Sequence, residues 1–342
     1  MKSAFVVLPL ITACAAALAQ SPAPPSARAT AVDRAIATTQ GGAPGFRGKV
    51  PGSLIRDVDT QQVPELFPGE IEDVGPQFLV ARPEAAKPGP VMFNGFVDTQ
   101  MFYTSNALLS EKGNQDTGVM VITAQAAFYL PPMELAGGIL TARAGYRQQW
   151  WLYSLDDTSS QLNNFDFTLA SVFIGIRHTW DEKWVATANL DYNRYLSADN
   201  NWSEFYTELV PNWSLERNIP IGETAQLSIG YYGGYHFTYT DPQPTSNIND
   251  RLDNAIGITY TQELIPKLFL QPYYRLQWSH YTENSDRNDM YNDLGVSLVY
   301  MFNQWASVRG FVNFESRDST DDTVSDYQVW NSGGGVTFSA QF

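Results

Sequence analysis

From residue 91 to 342 the chain repeatedly alternates apolar with polar side chains. The segment "VTFSAQF" shows it plainly: Val336, Phe338, Ala340 and Phe342 interleave with Thr337, Ser339 and Gln341. Period two predicts a β-strand with one apolar and one polar face. Twelve stretches carry this alternation or are rich in β-forming residues: 91–105, 118–130, 139–153, 165–180, 184–196, 204–218, 224–240, 254–264, 268–282, 290–302, 305–317 and 328–342. No window after the first twenty residues approaches the ~18 consecutive apolar residues of a spanning helix, whereas ~9–11 residues suffice for a tilted strand to cross a bilayer.

The connections sort by length. "PPMELAGG", "DEK", "IPIGE", "IPK" and "NQ" are tight; "ALLSEKGNQDT", "LDDTSSQLNN", "SADNNWS", "DPQPTSNINDRLD", "ENSDRND" and "DSTDDTVSDY" are longer and polar, and the two kinds alternate. Short turns at one end and long loops at the other are the arrangement of a membrane barrel, which must also close to satisfy its backbone in lipid. The expected fold is therefore all-β, a transmembrane antiparallel up-and-down barrel of about twelve strands over residues 91–342. Tryptophans sit where interface belts are expected. Trp180, Trp184 and Trp305 lie at the tight turns; Trp150, Trp151, Trp202, Trp278 and Trp330 lie near the long loops, and Trp213 fits neither group. Pro211 and Pro272 fall inside strands, where a missing N–H interrupts the ladder.

Parity then divides lipid from lumen. Leu268, Leu270, Tyr274, Leu276 and Trp278 face out, so Arg275 faces in with Gln271 and Gln277; Arg309, Asn313 and Glu315 face in from the strand whose Ala306, Val308, Val312 and Phe314 face out. The same reading directs Asp98, Arg143, Arg147, Arg177, Asp191, Asn193, Glu208, Asn212 and Asp293 inward. Arg143, Arg147, Arg275 and Arg309 are expected to line one wall. Asp98, Asp191, Glu208, Asp293 and Glu315 supply the opposing charge, as lumen and selectivity residues. A bland account pairs the same charges and fills the barrel with them.

Upstream the texture differs. "MKSAFVVLPLITACAAALAQ" places Lys2, an apolar run and Ala17-Leu18-Ala19 before Gln20, which reads as a signal peptide over residues 1–19. A rival reading makes Cys14 of "ITAC" a lipidated cysteine; either way the chain leaves the cytoplasm. Residues 20–90 hold 11 of the 20 prolines and read as a flexible periplasmic leader, with docking to a periplasmic partner or tucking into the barrel lumen as the alternatives. A net charge of −15 argues against nucleic acid, and with Cys14 the single cysteine no thiolate metal site or disulfide framework forms. The acidic loop around Asp318, Asp321, Asp322 and Asp326 matches no defined calcium loop and reads as solvated. No metal or cofactor is expected.

The terminal strand ending on Phe342 resembles that of Gram-negative outer-membrane β-barrel (porin-like) proteins. That resemblance implies residence in the outer membrane, contact with its lipid and lipopolysaccharide, and recognition of Phe342 by the β-barrel assembly machinery. It names no substrate. Enzyme activity is not expected: His280 and its neighbour Ser279 face opposite sides, His178 lies beside Trp180, and His236 faces the lumen among tyrosines. The expected function is a narrow passive channel for small polar or charged solutes. The alternative is a plugged barrel serving adhesion, envelope structure or an export complex through residues 20–90.

Overall fold

The computed structural model describes residues 92–107, 109, 116–153, 166–181, 183–197, 203–222, 224–240, 247–283, 287–303, 305–321, 324 and 326–341. The expectations for the signal peptide, Cys14, the leader, Trp202, Asp322 and Phe342 lie outside them. Among the described residues the regular structure is β throughout: β1 Met92–Thr104, β2 Thr117–Tyr129, β3 Met133–Leu135, β4 Gly138–Tyr153, β5 Phe167–Trp180, β6 Trp184–Ser197, β7 Glu204–Ile221, β8 Ala225–Thr240, β9 Arg251–Ile265, β10 Leu268–Tyr281, β11 Asn288–Asn303, β12 Ala306–Ser319 and β13 Tyr327–Gln341.

Each long strand pairs antiparallel with its sequence neighbours, β2 with β4 directly, and β1 with β13 from Asn94↔Gln341 to Thr104↔Asn331. That last ladder closes twelve strands into a barrel, so no sheet edge is left among them. β3 is the addition to the expected plan. "PPMELAGG" is not a simple turn but a small hairpin in which Leu135 pairs with Gly138 across Ala136 and Gly137. Both of these have positive φ, 48° and 76°, as a two-residue type I′ connection requires. The strand ends at the remaining short connections, β5 to β6, β7 to β8, β9 to β10 and β11 to β12, all lie at one end of the barrel.

The exterior is apolar and the interior polar. Leu294, Phe128 and Ile174 on the outside are 58%, 56% and 53% exposed, whereas Ser297, Thr123 and Ser171 on the inside are almost wholly buried. The burial alternates residue by residue along β2, as period two demands. A polypeptide with this inverted distribution is built for lipid.

The two strand prolines interrupt the ladders on one side. β7 pairs with β8 at Leu209↔Phe237 and resumes at Asn212↔Gly234, skipping Val210 and Pro211. β10 pairs with β9 at Leu270↔Gln262 and resumes at Tyr273↔Thr259, skipping Gln271 and Pro272. On their other sides Pro211 and Pro272 stay in register with Leu190 and Val296. The missing N–H therefore removes pairing on one flank only.

Inward glycines let large side chains lie along the wall. A Cβ on Gly145 would strike Phe173, one on Gly295 would strike Tyr273, and the Tyr232 ring lies over both Gly230 and Gly257. At the closing seam, Gly333 of β13 sits beneath Phe102 of β1, and Gly335 beneath the Arg309 guanidinium of β12. Outside, Trp213 lies on Gly233, which accounts for a tryptophan that belongs to neither belt. Gly333→Val drives its side chain into the Met101 carbonyl oxygen and Phe102, and overpacking of this kind costs about 1–3 kcal/mol. Outward Gly310 meets nothing nearer than 3.8 Å and tolerates alanine. Recovery of the heat-modifiable folded band after refolding should fall for Gly333→Val and stay level for Gly310→Ala; equal recovery would contradict the packing.

Candidate functional site in the barrel interior

All nine charged residues expected inside stand on the inward face, and so does Arg177. They do not separate into a basic and an acidic wall. In the order around the barrel, Arg143 and Arg147 lie on β4, Asp191 on β6, Glu208 on β7, Arg275 on β10, Asp293 on β11, Arg309 and Glu315 on β12, and Asp98 on β1. Opposite charges therefore interleave, and each finds partners within one to two strands.

At the seam, Arg309 donates to both carboxylate oxygens of Asp98, at 2.7 and 2.8 Å, and to the Gln100 side-chain oxygen at 2.6 Å. The Thr337 hydroxyl donates to the same carboxylate at 2.6 Å. The fork reaches from β12 to β1 across β13, over the space that Gly335 leaves. A planar, bidentate, buried pair is the strong form of such a contact.

Between β4 and β7, Arg143 donates to Asn189 at 3.4 Å, Asn189 to Asn212 at 2.9 Å, and Asn212 to Asp191 at 2.9 Å. Asp191 also lies in the field of Arg147 and Arg143. Across the barrel, Arg275, Asp293 and Glu315 occupy one row on β10, β11 and β12. Asn313 donates to Asp293 at 3.1 Å and to Glu315 at 2.8 Å, while Arg275 donates to Gln277 at 2.7 Å.

A network unseen in the sequence lies near the long-loop end. His236 stands between two carboxylates, Nδ1 2.9 Å from Glu208 and Nε2 3.0 Å from Asp253. Arg251 approaches Asp253 at 3.3 Å, and Asn193 donates to Glu208 at 2.9 Å. Arg251 and Asp253 belong to β9, which starts at Arg251 rather than at the expected residue 254. The polar "NINDRLD" reads as loop, although Arg251, Asp253 and Ala255 already share one parity. With both ring nitrogens facing carboxylates, His236 is not placed to activate the hydroxyl of Ser279, which lies on the same inner face.

Beside this network is an apolar layer. Phe102, Val119, Val121, Trp151, Tyr153, Phe167, Leu169, Tyr195, Phe205 and Tyr206 form one buried cluster, with Trp151 stacked on Phe167 at 5.6 Å between centroids. Trp151 is thus a lumen residue, not part of the outer belt. Adjacent strand positions face opposite sides, so Trp150 and Trp151 cannot both lie in that belt. Trp150, Trp278 and Trp330 face outward, each three residues from the long-loop end of its strand, at Tyr153, Tyr281 and Tyr327. Trp180 and Trp184 stack at 6.1 Å where β5 ends and β6 begins, and Trp305 lies exposed just before β12.

Burial separates the inward charges. Asp98, Arg143, Arg177, Glu208, Glu216, Arg251, Asp253, Asp289, Asp293, Arg309 and Arg317 are buried, whereas Arg147, Asp191, Arg275 and Glu315, each near the middle of its strand, are only partly so. Glu263, beside the 266–267 turn, is partly buried too.

No family model and no curated protein matches the sequence. Solved structures with a similar fold include the beta domain of the Bordetella autotransporter Brka, at 10% identity and TM-score 0.43, covering 73% of this chain and 100% of that one. An outer membrane channel from Pseudomonas putida F1 matches at 9% and 0.46, covering 75% and 97%. The KdgM porin, in complex with disordered oligogalacturonate, matches at 9% and 0.37, covering 71% and 98%. The likeness is one of barrel architecture. The chain is a closed antiparallel β-barrel with an apolar exterior.

Proposed function

We propose that this barrel is a narrow passive channel for small polar or charged solutes. The observation that carries the reading is the set of partly buried charges, Arg147, Asp191, Arg275 and Glu315, at mid-depth inside an otherwise apolar-coated cylinder. Charges left accessible to water in a lumen are what a solute path uses. Its surroundings on this reading are outer-membrane lipid and lipopolysaccharide, with Phe342 read by the β-barrel assembly machinery and no catalytic step. A twelve-stranded barrel falls between the filled eight-stranded kind and open porins.

A second reading is a plugged barrel acting in adhesion, envelope structure or export through residues 20–90. The packed aromatic layer and the buried Glu208–His236–Asp253 network at the long-loop end favour it. Proteoliposome swelling in erythritol separates the two, using the mature chain with and without residues 20–90. The channel reading expects swelling from both proteins at similar rates. No swelling from the mature chain, with or without swelling after the deletion, would overturn it.

A further inference from the structure

The four partly buried charges have a geometry of their own. Around the closed barrel the order is β1, β2, β4, β5, β6, β7, β8, β9, β10, β11, β12 and β13. β4 and β10 are then diametrically opposed, and so are β6 and β12. Arg147 on β4 faces Arg275 on β10, and Asp191 on β6 faces Glu315 on β12. All four project inward from mid-strand, and all four are less buried than the other inward charges away from the turns. The signs alternate around the ring and sum to zero.

Resting on the channel reading, we infer that this ring selects zwitterionic solutes, small molecules carrying one carboxylate and one ammonium group. A lone anion near Arg147 also meets Asp191 two strands away, so much of the attraction cancels. The same holds for a lone cation. A zwitterion directs its carboxylate to the arginine and its ammonium to the neighbouring carboxylate, and each charge that loses water regains a partner. Because the barrel presents an arginine–carboxylate pair twice, on opposite walls, the solute binds to either side. A neutral solute of the same size gains neither contact.

The test compares proteoliposome swelling in proline, a zwitterion, with swelling in erythritol, a neutral solute of similar mass, using the mature chain. Proline is expected to enter about three- to tenfold faster. Arg147→Gln with Asp191→Asn removes one site, and Arg275→Gln with Glu315→Gln the other. Either double variant should reduce the proline preference, and all four changes together should abolish it while erythritol flux holds. Heat-modifiable mobility identifies folded variants, and the two pairs lie on different strands, so misfolding of one leaves the other to decide. Erythritol flux equal to or above proline flux in the unaltered protein would overturn the zwitterion site and leave the channel standing. No flux of either solute would overturn the channel and the site together.

Discussion

Replacing Arg309 by alanine is expected to lower the folding stability of the barrel by about 3–5 kcal/mol, the loss that follows when one partner of a buried ion pair is removed. Arg309 and Asp98 are 3% and 2% exposed, and the guanidinium satisfies both carboxylate oxygens. Without it, Asp98 keeps the Thr337 hydroxyl and little else to balance its charge. The pair also spans the β13–β1 seam, the one ladder that joins residues from the two ends of the barrel sequence. Urea titration followed by the heat-modifiable band measures the change. The double variant Asp98→Leu, Arg309→Leu should recover much of the loss, because apolar residues often replace a buried pair at small net cost. An Arg309→Ala midpoint equal to that of the parent would remove the seam pair from the account.

The second large effect concerns the long-loop end. Trp151 and Phe167 are each 1% exposed and stack within 10° of parallel, a bulky contacting pair in the apolar layer. On the channel reading, Trp151→Ala with Phe167→Ala is expected to raise single-channel conductance by about twofold or more, because these rings are packed side chains on the inner face of the barrel. Each truncation removes about 3–5 kcal/mol of packing, so folded protein must be selected before recording. Trp330→Ala, on the exterior, serves as the control and should leave conductance alone. If the double variant conducts like the parent, the constriction lies elsewhere and the layer only supports the wall.

The twelve long strands, most of their bounds and most of the facing were legible in the sequence because the period-two signal and the alternation of short and long connections are local properties. Arg275 and Glu315 could be directed inward from a dozen residues of context. Their angular relation could not, since it depends on closure and on the place of each strand in the circle. Asp98 and Arg309 are 211 positions apart, and only the β1–β13 ladder brings them together. The glycines hid for a related reason: Gly335 looks like a weak point in a strand until the register places Arg309 over it. Arg251 and Asp253 were hidden by a different effect. Polar residues continue an inward face without an apolar signal, so β9 seemed to start three residues later than it does. The Trp150–Trp151 pair went the other way, where composition near a loop overrode the parity rule.

Single-channel recording of the refolded mature chain in a planar bilayer, in symmetric salt and then under a salt gradient, tests the central claim most directly. A passage ringed by alternating charges that sum to zero predicts discrete steps of small conductance with a reversal potential close to zero. It also predicts a shift toward cation selectivity when Arg147 and Arg275 are both made glutamine. Silence from folded, heat-modifiable protein would contradict the channel, and a strongly selective wild-type pore would contradict the balanced ring.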